Sequence, residues 1–432
     1  MEETGSEIMI RFYKETNFKE TPIGKIPKDW NIVKLSNIAR DIYYGITAKA
    51  VENNTGLRML RTTDIKDYNV KWNTLPFCKI TEKRGDLRRF LLQKDDLIIA
   101  RAGTTGISVL VDKKLDNVIF GSYLIKVKLC EKVFPKFMHY FCQSRFYWNH
   151  IISSQAGSTL KNISLPVLKS LNVPLPPLEE QKVIAYVLST VDEAIQKTNE
   201  IIEKTERLKK GLMQELLTKG IGHKEFKDTE IGRIPKEWNI VRLGKALELC
   251  QYGLSIPMKN EGKYPIIRMD EIVDGYVSPK ISKFVDLDEK TFKTFRLEKG
   301  DILFNRTNAY ELVGRTGIFL LDGDYVFASY LIRLRPKPNM FDSHFLTYYL
   351  IFINKKLKRL ATKAVHQANI NATNLRKVKI PRPSLDEQRK IVKILLAVDK
   401  KLKMERAEKQ RLEKIKQASM DLLLTGKVRV RV

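Results

Sequence analysis

Apolar and polar positions along this chain fall into two kinds of pattern. The first is a set of short runs, rich in β-branched residues and bounded by Gly or Asp: DLIIA at 96–100, GISVLV at 106–111 and SYLIKV at 122–127. Runs of this kind predict strands. An aromatic segment at 134–150 follows and predicts a helix packed on them. The scheme returns as DILFN at 301–305, GIFLL at 317–321 and SYLIRL at 329–334, with 341–360 as the second aromatic helix. Each stretch therefore predicts a body of mixed α and β structure. On this pattern Tyr123 and Tyr330, at matching places in the two SYLI runs, are framework residues within strands.

The second pattern is helical. From Leu178 to Thr218 the chain has no proline, and Gly211 is its one glycine. Apolar or small residues recur at Ile184, Leu188, Val191, Ile195, Thr198, Ile202 and Thr205, alternating steps of four and three. That rhythm is a coiled-coil-like seam carrying two threonines, and Leu208 and Leu212 extend it with a shift. A second segment begins after Pro383, with Ile391, Leu395, Val398 and Leu402, then Leu412 and Ile415. Helices over about 178–219 and 385–425 would each be about 60 Å long. A helix of that length is stable when its apolar stripe meets another element, and each other is the nearest candidate.

These patterns occur in duplicate because the sequence does. TPIGKIPKDWNIVKL at 21–35 returns as TEIGRIPKEWNIVRL at 229–243, with 11 of 15 positions identical. VPLPPLEEQ at 173–181 returns as IPRPSLDEQ at 380–388, and MQELLT at 213–218 as MDLLLT at 420–425. A period of about 207 residues is too long for a solenoid unit and fits duplicated domains. The expected fold class is α+β: two pseudo-symmetric mixed α/β globular domains separated by two long antiparallel coiled-coil-like helices. The expected division is an arm over 1–20, a first body over 21–172, a first helix over 173–220, a second body over 221–379, and a second helix with its tail over 380–432. The arm is expected to be poorly ordered. Trp30 and Trp238, each after a proline turn, are expected to anchor a body against a helix, and Gly220 and Gly426 to release the chain from the helix ends.

Charge then changes the picture. The chain carries a formal +28, with 78 Lys and Arg against 50 Asp and Glu. The helical stretches hold little of this excess: 179–219 has 7 basic and 8 acidic residues, and 386–424 has 11 and 7. A basic excess in the bodies calls for an anionic partner, and nucleic acid is the commonest. No apolar run is long enough to cross a bilayer, so no membrane association is expected. Cys78, Cys130, Cys142 and Cys250 are scattered without zinc spacing and read as reduced thiols of a cytoplasmic protein. Catalytic chemistry is thin. AGTTGI at 102–107 lacks the phosphate-loop lysine, the five histidines form no tight ligand pair, and Lys94, Asp95 and Asp96 supply only part of a nuclease centre. The expectation is no enzyme activity, no metal and no cofactor.

The duplicated IGxIPxxW segments, with PLPPLEEQ, PRPSLDEQ and the long helices after them, resemble the specificity subunit of type I restriction-modification enzymes. The resemblance covers nearly all of the chain after residue 20. It implies that the bodies are target recognition domains, each reading one half of a bipartite double-stranded DNA sequence. It implies too that the helices fix the spacing of the halves and dock two modification (methyltransferase) subunits, with restriction and motor subunits joining the full complex. S-adenosylmethionine and the methyl-transfer residues would belong to the partner subunit. It assigns no base-reading residue to this chain. A stand-alone nuclease of bipartite sites and a non-specific DNA-binding adaptor are the alternatives.

Candidate DNA contacts come from the residues themselves. Arg61 matches Arg268 in RTTDI and RMDEI, and Arg101 matches Arg306, these last two just beyond a predicted strand. Arginine grips guanine edges or phosphate with a planar fork. Residues present in both copies, however, suit phosphate contact or folding better than the reading of different half-sites. Choice of base is expected where the copies differ: Thr104 and Thr105 against the insertion at 308–312, and Lys161 against Gln367. Asn308, Arg315 and Gln367 have edge-reading chemistry. His366 is a candidate for phosphate or for a local loop bond, and Lys83, Arg84, Arg88 and Arg89 form a basic run suited to the backbone.

Overall fold

In a computed structural model of the chain, the structure describes residues 10–81, 87–154, 162–308, 310, 312–360, 362–363 and 368–431. The chain divides into two compact units, Met1–Asn199 with Ala407–Val432, and Glu200–Arg406. The division passes through the middle of both long helices, Leu178–Lys219 and Leu385–Leu423, where linear reading places boundaries at their ends.

In the first unit, Leu97–Ala100 lies between Ser108–Leu110 and Leu124–Leu129, with Ala39–Tyr44 beyond, all antiparallel. Leu97, Ile98, Ile99 and Ala100 are all buried, because this central strand is covered on both faces. A second sheet orders Val118–Phe120, Arg58–Leu60, Phe77–Ile80 and Ala48–Val51. Asn31–Lys34 pairs with Asn172–Leu175, closing the body where the chain enters and leaves it. The second unit repeats the plan. Ile302–Asn305 lies between Thr316–Ile318 and Leu331–Pro336, Leu247–Tyr252 follows, and Asn239–Arg242 pairs with Lys379–Arg382. The aromatic helices are broken: Pro135–Phe141 gives way to Arg145–Ser154, and Ser343–Phe352 to Asn354–Leu357. Part of the expected arm is not loose. Arg11–Lys14 forms a strand along Val428–Arg431, so its backbone groups are bonded to the chain's other end.

Each duplicated motif turns out to be a fastening. Both indoles are buried and donate to the glutamate of the LEEQ or LDEQ motif: Trp30 Nε1 to Glu180 Oε2 at 3.1 Å, and Trp238 Nε1 to Glu387 Oε2 at 2.9 Å. The glutamines next in line, both fully buried, bond backbone on either side. Gln181 accepts from Phe134 N and donates to the carbonyls of Lys132 and Pro176; Gln388 accepts from Asp342 N and donates to those of Met340 and Pro383. Glu180 is further met by Arg429, and Glu387 by His223, each residue three places after the helix-ending glycine. Gly220 and Gly426 have φ of +66° and +68°, the left-handed conformation that ends a helix.

The helices pair through a second duplicated device. In the first unit Asp192 accepts from Tyr140 Oη at 2.8 Å and meets Lys416 Nζ at 2.7 Å. In the second, Asp399 accepts from Tyr348 Oη at 2.6 Å and meets Lys209 Nζ at 2.5 Å, with Tyr276 Oη also donating at 3.1 Å. Higher numbers on one helix meet lower numbers on the other, 206 with 406 and 209 with 399 in the second unit and 192 with 416 and 183–188 with 420–424 in the first, so within each unit the helix halves run antiparallel. This device corrects the expected seam. Leu208 and Ile415 are 55% and 40% exposed, because the lysine next to each takes the inward position with its charge met by the facing aspartate. The buried Thr198 and Thr205 satisfy their hydroxyls on the carbonyls of Ala194 and Ile201. Burial, reinforced by Asp399, pushes the Tyr276 hydroxyl up to about 12, so it stays a donor at neutral pH.

Asp399→Ala should destabilise the second unit by about 3 kcal/mol, since it strands Lys209 and frees two tyrosine donors. Asp192→Ala should cost less, because Asp192 is about a third exposed and partly screened. Urea unfolding checks both; equal losses in the two variants would contradict the assignment.

Candidate nucleic-acid interface

The four matched arginines separate into two functional pairs. Arg61 precedes the short turn Thr62–Asp64 and Arg268 the turn Met269–Glu271. Arg61 Nε and Nη2 donate to the two oxygens of Asp64 at 2.9 and 2.7 Å. The Asp64 hydrogen bond raises the Arg61 pKa, holding the guanidinium charged and paired. Arg268 Nη2 donates to Glu271 at 3.1 Å and to Ser282 Oγ at 3.1 Å, and the backbone N–H of each arginine bonds the same carboxylate. The Arg61 fork is occupied in shaping a turn, and Arg268 commits its Nη2 to one while its Nε is buried without a partner. Of the two roles open to them on sequence, the geometry supports folding.

Arg101 and Arg306 are placed differently. Each follows the central strand and is held by its backbone on both sides. Arg101 N donates to Tyr123 O and its carbonyl accepts from Ile163 N; Arg306 N donates to Tyr330 O and its carbonyl accepts from Ile370 N. The Arg101 guanidinium lies 4.4 Å over the ring of Tyr44, and that of Arg306 4.8 Å over Tyr252. Those rings are fixed in turn, since Tyr44 Oη accepts from Leu165 N and Tyr252 Oη from Ala372 N. Arg306 Nη1 also donates to Ser329 O. Neither guanidinium meets a carboxylate among the described residues, and the Nε of each is buried without a partner.

Tyr123 and Tyr330 overturn their expected framework role. The strands begin one residue later, at Leu124 and Leu331, and each tyrosine stands in the preceding turn, closed by Leu124 N to Gly121 O and Leu331 N to Ala328 O. They are 64% and 40% exposed. The turn lies close against Gly45 or Gly253, where an added Cβ would come within 2.3 Å of a carbonyl oxygen, so neither position tolerates a side chain.

Around this common frame the two bodies diverge. The loop over 101–106 is short, with Gly103 and Gly106 at positive φ, and is pinned where Tyr147 Oη donates to Gly106 O at 2.7 Å. Thr104 is exposed and Thr105 half-buried. In the second body the corresponding loop is longer. Thr307–Asn308 pairs with Ala368–Asn369, which pairs with Thr362–Lys363, so the backbone brings the neighbourhoods of two sequence-distant candidates together. Arg315 is exposed beside this loop. Arg89 is partly committed, lying 4.2 Å over Tyr43 and 3.5 Å from Asp41, while Arg88 is exposed on the same turn, Leu87–Phe90. Lys83, Arg84, Lys161, His366 and Gln367 lie outside the described residues, as does the side chain of Asn308.

Of the acidic groups suspected of metal chemistry, Asp96 is otherwise engaged. Asp96 is buried against Lys126 at 3.2 Å, and its counterpart Asp301 accepts from Arg335 Nε at 2.7 Å. Burial pushes the Cys142 thiol up, leaving it a poor nucleophile. Among the described residues no helix is long and apolar enough to cross a membrane.

Two bodies of one plan, sharing a frame and differing in loops, define a paired recognition module. The chain belongs to the family of the type I restriction modification DNA specificity domain, which matches it twice, at residues 27–207 and 235–414. A Methanocaldococcus jannaschii chain assigned as the MjaX specificity subunit of a type I restriction enzyme is 33% identical over 442 residues, covering 98% of this chain and 99% of the relative. The type I restriction enzyme MjaVIII specificity subunit of the same organism is 29% identical over 98% of this chain and 99% of its own length. The solved S subunit of a type I restriction-modification system from M. genitalium shares the fold, with a TM-score of 0.58 over 93% of this chain and 98% of that one at 18% identity.

Arg268→Met should cost about 2–3 kcal/mol, because it leaves the buried Glu271 without its cation. Arg315→Ala, at an exposed position, should stay within about 0.5 kcal/mol of the parent. Denaturant titration of both separates a folding arginine from a surface one.

Proposed function

We propose that this chain is the DNA specificity subunit of a cytoplasmic type I restriction-modification complex. Each body reads one part of a bipartite duplex, and the long helices carry the methyltransferase subunits, to which restriction and motor subunits are added. The chain itself contributes recognition and assembly, and the methyl transfer and strand cleavage are done by its partners. The observation that carries this reading is the doubled frame with undoubled loops. Matched turns, arginines and tyrosines give both bodies the same mode of approach. The loop over 101–106 and the longer one beginning at 307 give them different surfaces for base edges. The formal charge of +28 supplies the attraction to a polyanion, and the engagement of Asp96 and Asp301 with cations supports a reader over a nuclease.

Duplexes selected by the full chain from a random pool should carry two separated blocks of fixed sequence. Filter binding should then rank the intact site above a half-site or a respaced site by about tenfold or more. Equal binding to all three would sink the reading, and metal-dependent cleavage by the purified chain alone would return it to the nuclease alternative.

A further inference from the structure

We infer that Arg101 with Tyr123, and Arg306 with Tyr330, form one sequence-indifferent phosphate grip in each body, a positioning site distinct from the loops that choose bases. The inference rests on the proposed function and adds a division of labour to it. Four arginines are matched between the copies, but Arg61 and Arg268 spend their charge on Asp64 and Glu271. Arg101 and Arg306 keep theirs, with no carboxylate within reach among the described residues; their buried, unbonded Nε is shared with Arg268, so the missing carboxylate is what sets them apart. A guanidinium pinned over an aromatic ring loses little rotamer freedom when it binds, which suits a fixed donor to a phosphodiester oxygen.

The tyrosines complete the geometry. Arg101 N bonds Tyr123 O at 2.9 Å, and Arg306 N bonds Tyr330 O at 2.9 Å, so the free cation and the exposed phenol are fixed to one another in each body. A tyrosine raised on a turn at 64% or 40% exposure offers a hydroxyl donor and a ring edge to a sugar-phosphate strand. That this pair is the same in both bodies, while the adjoining loops differ in length, assigns it to what two half-sites have in common. The backbone is common to every sequence; the base edges are not.

The test measures binding of the full chain to fluorescein-labelled DNA duplexes of several unrelated sequences, one carrying the selected site, across a salt series. Arg101→Gln and Arg306→Gln should each lower the slope of log affinity against log salt by about 0.9, and together by about twice that, on every duplex. The ranking of sequences should not change, and Arg101→Lys with Arg306→Lys should keep the parental slope. Tyr123→Ala with Tyr330→Ala removes only exposed side chains, so folding is retained, and it should weaken all duplexes by a common factor of about ten. An unchanged slope in the glutamine variants, unchanged affinity in the tyrosine variants, or a reordering of preferred sequences in either, overturns the grip while leaving the specificity reading intact. Failure of the parental chain to bind any duplex removes both.

Discussion

A half-buried aspartate shared between a tyrosine of the body and a lysine of the facing helix holds each unit together. In Asp192 and Asp399 three parts of the chain meet at one carboxylate. Desolvating such a charge is costly unless its oxygens are filled, and here they are filled by groups from different elements. The interaction therefore fixes register as well as contributing energy: a helix slid by one residue would leave a cation and an anion apart in a poorly hydrated seam. Apolar contacts alone tolerate small slips, because Leu and Ile pack adequately against many neighbours. The charges remove that freedom, and the same solution appears in both units with the roles of the two helices exchanged.

The fastening of body to helix follows a similar logic about three helical turns earlier. A buried indole and a buried glutamine each need partners, and the LEEQ and LDEQ motifs answer both needs from consecutive positions on the first helical turn. The copies differ in what meets the glutamate. Arg429 also meets Glu15 and Asp29, whereas His223 lies near Glu237. The carboxylate is what the two copies share: Arg429 donates to it in one, and a ring nitrogen of His223 lies 2.8 Å from it in the other.

Much of this was legible in the residues. The doubling, the three principal strands of each body, the two long helices and the anchoring tryptophans all follow from period and composition. The second sheet of the first body was not, because Arg58–Leu60 and Ala48–Val51 are too short to show alternation. The seam was misjudged at Leu208 and Ile415, where hydrophobicity pointed inward and only a partner aspartate, invisible along the sequence, brought the lysine in instead. Tyr123 and Tyr330 were read as strand residues because they touch the SYLI runs. The turn that lifts them depends on Gly45 and Gly253, about 80 residues upstream. Arg61 and Arg101 look alike in sequence, and what separates them is a carboxylate three residues from one and, among the described residues, none beside the other.

The pairing of Arg11–Lys14 with Val428–Arg431 has a consequence for how the molecule is made. Glu200–Arg406 is one continuous stretch, so a ribosome releases everything that unit needs before the last segment is synthesised. The other unit lacks Ala407–Val432 until that later segment has followed. Until then Glu180 has no Arg429, Asp192 has no Lys416, and the amino-terminal strand has nothing beside it. The half translated first is thus the half completed last, and a nascent chain must keep an open seam and an unpaired edge shielded for the duration.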